Sequence, residues 1–174
     1  SISVNLSCKQ FAMHNLPKMI RDTMQRHEMD PSAMHLEITE TTVMEDVDYA
    51  ATVREEIKSI GVVVAMDDFG TGHSSLACLH HLPFDVLKID RSFVAGLERS
   101  RDFMAMIQAV TNLAHNLNIH VVAEGIEKPE HITVLQSLDC GYGQGYYFSK
   151  PMPAGQVKHY RVPMEALRNH REAA

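Results

Sequence analysis

The sequence predicts an α/β fold of the TIM (β/α) barrel type, on three observations. Short runs without a polar face, Val62-Val63-Val64, Val86-Leu87 and Ile119 to Val122, are rich in β-branched residues and read as parallel strands buried on both sides. Segments of helical period separate them, so strand and helix alternate along the chain. Neither GxGxxG nor GxxxxGKS/T occurs, and an open doubly wound sheet would usually carry such a phosphate loop after its first strand. The barrel is therefore preferred.

Taken in order, Ile2-Ser3-Val4 opens as a strand. Pro17 suits the first turn of a helix running to about Met29, where Asp30-Pro31 breaks it. Met34-His35-Leu36 is the second strand. From Glu45 to Ile60 the apolar residues Ala50, Val53, Ile57 and Ile60 share one helical face, and Gly61 can end the helix. Val62 to Met66 and Val86-Leu87 follow as the third and fourth strands. The strongest helix spans about Arg101 to Leu117, where Phe103, Met106, Ile107, Val110, Leu113, Ala114 and Leu117 make a stripe wide enough to cover a sheet. Ile119 to Val122 is the fifth strand. Pro129 begins a helix carrying Ile132, Leu135 and Leu138, and Tyr142-Gly143 is the sixth strand. About six strand-helix units result, whereas a closed barrel of eight takes roughly 250 residues. The expectation is a modified barrel that is incomplete at its N-terminus, its front lying ahead of Ser1.

With 174 residues and 45% hydrophobic content, the chain suits one domain with a sizeable core. Lys plus Arg is 16 against 22 for Asp plus Glu, a net charge of −6, which argues against a nucleic-acid duplex or an anionic membrane as main partner. An anionic ligand would need bound cations to invert the local field. No apolar run reaches the ~18 residues of a membrane span, and no leader segment is read at the start. Cys8, Cys78 and Cys140 are scattered and outside any CxxC, which suggests reduced thiols in a cytoplasmic protein. The 11 Met residues read mostly as core filler. The 11 His residues show no HxxxH or HxH spacing, so zinc has little support, and His80-His81 reads as a surface or satisfied pair.

The chemistry lies where the strands end. Six apolar runs stop at Asn5, Glu37, Asp67-Asp68, Lys88 with Asp90, Glu124 and Gln144. In a β/α barrel the carboxyl ends of the strands gather at one mouth, where active sites are built. Adjacent carboxylates such as Asp67 and Asp68 repel each other unless cations or protons share the site; otherwise they are a solvated pair opening a turn. Glu37 can point into the mouth, while Glu40 either joins it or caps the next helix. Lys88, in an apolar strand, needs a partner, and an ion pair with Asp90 on the same face competes with a catalytic role. Glu127 can equally start the helix at Pro129. Asn5 and Gln144 can simply be satisfied amides. An all-oxygen set suits Mg²⁺ or Mn²⁺ better than zinc, and several carboxylates at one mouth can hold two such ions for phosphoester hydrolysis.

Val4-Asn5-Leu6-Ser7, Leu36-Glu37-Ile38-Thr39-Glu40, Asp67-Asp68-Phe69-Gly70-Thr71-Gly72, Leu87-Lys88-Ile89-Asp90, Glu124-Gly125-Ile126-Glu127 and Gln144-Gly145-Tyr146, in this order, resemble the EAL-domain phosphodiesterases. That family cleaves cyclic di-GMP to linear pGpG on a modified TIM barrel with Mg²⁺ or Mn²⁺. The resemblance implies that Asn5, Glu37 and Asp67 ligate one metal, and that Asp67 bridges to a second held with Asp68 and Glu124. It implies that Lys88 contacts the attacking water and helps to deprotonate or orient it. Glu40 would anchor the loop from Phe69 to Ser75, and Asp90, Glu127 and Gln144 would contact substrate or support those that do. It further implies a homodimer and fusion to sensor or GGDEF-type domains that can anchor the parent protein to a membrane. The strand carrying the family's name-giving glutamate, and the arginine after it, are expected ahead of Ser1. Glu165-Ala166-Leu167-Arg168 reads as an accidental match, and His73 stands where the family often has tyrosine. The competing functions are a catalytically inactive cyclic di-GMP receptor or interaction module, and a different metal-dependent barrel such as an enolising enzyme.

Overall fold

The computed structural model describes residues 1–71, 79 and 84–161. Six strands are present among them: β1 (Ile2–Leu6), β2 (Met34–Thr39), β3 (Val63–Phe69), β4 (Val86–Ile89), β5 (His120–Ala123) and β6 (Tyr142–Gly143). They form one sheet in the order β1-β2-β3-β4-β5-β6, with every neighbouring pair parallel. A doubly wound sheet would reverse its order at a switch point; this one winds in a single direction, as a barrel does. Among the described residues β1 and β6 do not pair with each other, so the barrel is open there. Ile2 (58%) and Val4 (39%) on the β1 edge are accordingly exposed.

The connecting helices are α1 (Cys8–Phe11), α2 (Leu16–Arg26), α3 (Glu40–Glu45), α4 (Val47–Ile60), α5 (Arg91–Gly96), α6 (Arg101–Asn116), α7 (Pro129–Ser137) and α8 (Ala154–Val157). The helix expected from Glu45 to Ile60 is α4, which begins at Val47, and a separate short helix, α3, precedes it and ends at Glu45. Asp46 breaks the run because its carboxylate accepts from the Tyr49 N–H and caps α4, while Thr39 caps α3. Helix α2 stops at Arg26 rather than near Met29. Glu28 takes φ 50°, and the Met29 N–H returns to the Met24 carbonyl at 3.0 Å, a Schellman closure made without glycine. Asn118 and Asp139 close α6 and α7 in the same way, and Gly61 at φ 96° ends α4 as expected. On α6 the buried residues are Ile107, Thr111 and Ala114, whereas Met106 is exposed, so the core-facing stripe is narrower than its apolar letters suggested.

The core lies mainly on one face of the sheet, the face opposite the acids, where register lines up the inward residues of β2, β3 and β4. Leu36, Ile38, Val64, Met66, Leu87 and Ile89 are essentially inaccessible. At the amino ends of the strands Asp85 ties three of them together. Its N–H donates to Val64 O and its carboxylate accepts from Val64 N and Lys58 Nζ, while its carbonyl accepts from His120 N, each at 3.0 Å. Cys8 and Cys140 are free thiols, and burial pushes the Cys140 thiol up, which leaves it unreactive at neutral pH. Cys78, His80-His81, Gly72 to Ser75 including His73, and Glu165 to Arg168 lie outside the described residues.

Candidate metal centre

The strands run further than the apolar letters indicated, so Asn5, Glu37, Asp67, Asp68 and Lys88 lie inside strands, and Glu124 and Gln144 one residue beyond. Register then decides which of them meet. Asn5 pairs with Glu37, Thr39 with Asp67, Ala65 with Val86, and Lys88 with Val122. Side chains alternate along a strand, so Asn5, Glu37, Asp67, Lys88 and Glu124 share one face at the carboxyl end.

Asp68, next to Asp67, belongs by that alternation on the other face. The β3–β4 register shifts between Met66 and Phe69, and Asp68 sits at φ 54°. A bulge of this kind re-aims a side chain. Asp67, Asp68 and Glu124 consequently bring one carboxylate oxygen each within 4.8 Å of one another. The Asp68 N–H is held by Asp67 Oδ1 at 3.0 Å.

Lys88 is the centre of the cluster. Only 5% exposed, its Nζ lies 2.8 Å from Glu37 Oε2, 3.1 Å from Asp67 Oδ1 and 2.7 Å from Glu124 Oε1. Burial acts to lower the Lys88 pKa, but the hydrogen bonds it donates to Glu124 and Glu37 and the charge of Asp67 outweigh it and hold the ammonium well above its ordinary range. In this arrangement Lys88 is a cation that donates to all three acids. Burial, and then the neighbouring Asp67 and Asp90, push Asp68 up. Burial also raises Glu124, and Lys88 only partly offsets it. Carboxylates held above their usual range are short of positive charge, the condition under which a cation is bound. Three converging carboxylates with no thiolate or imidazole among them fit a hard divalent cation.

The other expected site residues are distributed around this cluster. Asn5 is exposed on the edge strand beside Glu37. Lys88 pairs with three other acids, whereas Asp90 accepts from Ser92 N at 2.9 Å and caps α5. Burial raises Asp90, yet its bonds from Ser92 prevail and leave it lowered, so it stays charged while bearing on Asp68. Glu40 is not a solvated cap: it is 4% exposed at the start of α3, and Thr39 does the capping. Glu127 and Gln144 are exposed at the same mouth. They are linked through the backbone, since Ile126 N donates to Gln144 O at 3.0 Å and Gln144 N to Ala123 O at 2.8 Å. Gly125, at φ 72°, lets this turn lie against Arg91, because a Cβ there would fall 2.4 Å from the Arg91 Cβ.

Comparison with known proteins follows the same outline. The family model described as "EAL domain" matches residues 1–151. The bifunctional diguanylate cyclase/cyclic di-GMP phosphodiesterase MucR of Pseudomonas aeruginosa is 41% identical over 157 residues, which is 90% of this chain and 23% of MucR. The chain thus spans about a quarter of that relative's length. A solved structure described as "PaMucR Phosphodiesterase, c-di-GMP complex" superposes with a TM-score of 0.86 at 41% identity, covering 90% of this chain and 64% of the other. Klebsiella pneumoniae BlrP1, solved as a manganese/cy-diGMP complex, superposes with a TM-score of 0.80 at 30% identity, covering 86% of this chain and 38% of that one. Sequence order, sheet topology and the carboxylate-lined mouth agree with that match, and the chain belongs to the EAL domain family.

Proposed function

We propose that residues 1–174 are the C-terminal portion of an EAL-type phosphodiesterase domain that hydrolyses cyclic di-GMP to linear pGpG in bacterial second-messenger signalling. The observation that carries the reading is the buried Lys88 joined to Glu37, Asp67 and Glu124, each on or directly after a different strand. Such a cluster is costly to maintain for structure alone. The cyclic di-GMP named for the MucR and BlrP1 structures supports the choice of substrate.

In this reading Asn5, Glu37 and Asp67 would hold one Mg²⁺ or Mn²⁺, and Asp67, Asp68 and Glu124 would hold a second. Bound there, the pair supplies charge neutralisation at the phosphoryl oxygens and a lowered pKa for water. Lys88 would donate a hydrogen bond to the attacking water and help to orient it. The water oxygen joins phosphorus, one P–O ester bond opens, and the leaving oxygen takes a proton, giving the linear product. Asp90, Glu127 and Gln144 line the mouth for substrate, and Glu40 anchors the loop that begins at Phe69. The parent protein is proposed to be a cytoplasmic-facing homodimer with sensor or GGDEF-type domains; no helix among the described residues is long and apolar enough to cross a membrane.

The test is product analysis of the full-length protein with Mn²⁺. Asp67→Ala and Lys88→Ala should each lower pGpG formation by at least about a hundredfold. Turnover unchanged in either variant would refute the assignment. Binding of cyclic di-GMP by the wild type without any linear product would make the domain a receptor instead.

A further inference from the structure

We infer that His131 is a positioning residue for the turn from Glu124 to Lys128, fixing Glu127 for substrate contact; this rests on the phosphodiesterase reading given above. The turn is already clamped at two points. Glu124 N donates to Ile89 O at 3.0 Å, and Ile126 bonds through its backbone to Gln144 and Tyr147. Among the described residues no strand pairs with the chain beyond Ile126 to hold Glu127, whose side chain is exposed at the mouth.

Helix α7 begins here with a weakness. Its N-cap is Lys128, which makes no side-chain capping bond. His131 is the third helical residue and only 5% exposed. From that position Glu or Gln ordinarily reaches back over the helix start to accept a backbone N–H, as in a capping box. His131 reaches one residue further back, past the N-cap: its Nδ1 lies 3.5 Å from Glu127 N as acceptor. With Nδ1 accepting, the ring proton sits on Nε2, and that atom faces Glu98 Oε1 at 3.4 Å. Glu98, just after α5, also holds Lys128 Nζ at 2.6 Å. The imidazole is thus wedged between a carboxylate behind it and the Glu127 amide in front. The resulting line of contacts connects the end of α5 to the substrate side of the turn.

A clamp of this kind governs how well the exposed Glu127 is placed before substrate arrives, which is a binding contribution. Hydrogen exchange of the Glu127 amide and steady-state kinetics, both on the full-length protein, test it with His131→Ala and His131→Gln. Glutamine can repeat the reach to the Glu127 N–H; alanine cannot. His131→Ala should speed Glu127 exchange by about tenfold and raise KM about fivefold with kcat within about twofold. His131→Gln should restore both. A His131→Ala protein that melts earlier yet keeps wild-type Glu127 exchange and KM would show a packing role only and overturn the inference. Failure of glutamine to restore either quantity would do the same. A wild-type protein without turnover sinks the phosphodiesterase reading instead, and the exchange measurement then still decides for or against the clamp.

Discussion

Replacing Lys88 by methionine isolates what the buried ammonium contributes when no divalent ion is present. Methionine keeps most of the apolar stem that the site packs against, so the main loss is charge. Three carboxylates 2.7, 3.1 and 2.8 Å from Nζ then face one another without a counter-charge. Two unit charges 4 Å apart repel by about 4 kcal/mol at the effective dielectric of a protein site, and proton uptake by one carboxyl relieves part of this. Loss of one member of a buried ionic cluster typically costs about 3–5 kcal/mol. We therefore expect a loss of that size in EDTA, a large share of the ~5–15 kcal/mol that stabilises a domain. At about 2–4 °C per kcal/mol for a chain of this size, the melting temperature should fall by roughly 6–20 °C. The assay is thermal melting by circular dichroism with EDTA and then with Mn²⁺, which should recover much of the loss. The pH dependence has a definite sign. Lys88 is raised above the ordinary lysine value of 10.5, so its contribution is complete below that pH and disappears as pH climbs through the folded-state value. Asp68 and Glu124 are also raised, so the stability these two contribute in EDTA should fall as pH rises above about 4, while Asp90, which is lowered, acts in the opposite sense. If Lys88→Met melts with wild-type behaviour in EDTA, the ammonium does not hold these acids together.

Substitutions at two further positions separate structure from chemistry. Asp90→Ala removes the α5 cap and should cost about 1 kcal/mol by urea unfolding, whereas Asp90→Asn keeps a capping oxygen and stability; if the charge serves substrate, both variants should nevertheless lose turnover. Asp68→Gly relieves a left-handed backbone worth about 1–2 kcal/mol of strain, against an entropic loss of about 0.5–1 kcal/mol, and ends the repulsion with Asp67. The variant should therefore unfold at higher urea than wild type in EDTA while losing activity, and a lower midpoint would show that the bulge is not strained.

Much of this fold is written in local patterns. The runs Val62 to Val64 and Ile119 to Val122 announced strands, although Val63 and Val122 are only half-buried on the second face, and Pro129 and Gly61 marked a helix start and stop that the structure keeps. Closures by Glu28 and Asp139 were not legible, because an acidic residue with positive φ depends on the backbone around it and not on its own preference. The residues of the mouth were legible as strand endings, yet their meeting was not. Register brings Glu37 and Glu124 to Lys88, and a one-residue slip would have turned either of them away. Asp90 looked like the natural partner of Lys88 from its spacing; a following N–H group at Ser92 claimed it first. The turn of Asp68 into the site needed the bulge, which adjacent aspartates do not reveal. Asp85 and His131 carried no sequence signal, since each acts on backbone groups brought to it by folding.

Asp85 fastens β3, β4 and β5 where they enter the sheet, at the end remote from the acids. The foundation of this domain and its workplace are thus served by different side chains at opposite ends of the same strands. Changes at the upper rim can retune chemistry or abolish it while the sheet still assembles, so relatives that have lost turnover need not have lost their shape. A substitution at the lower rim would be felt throughout the molecule, whatever ligand the upper rim had come to serve.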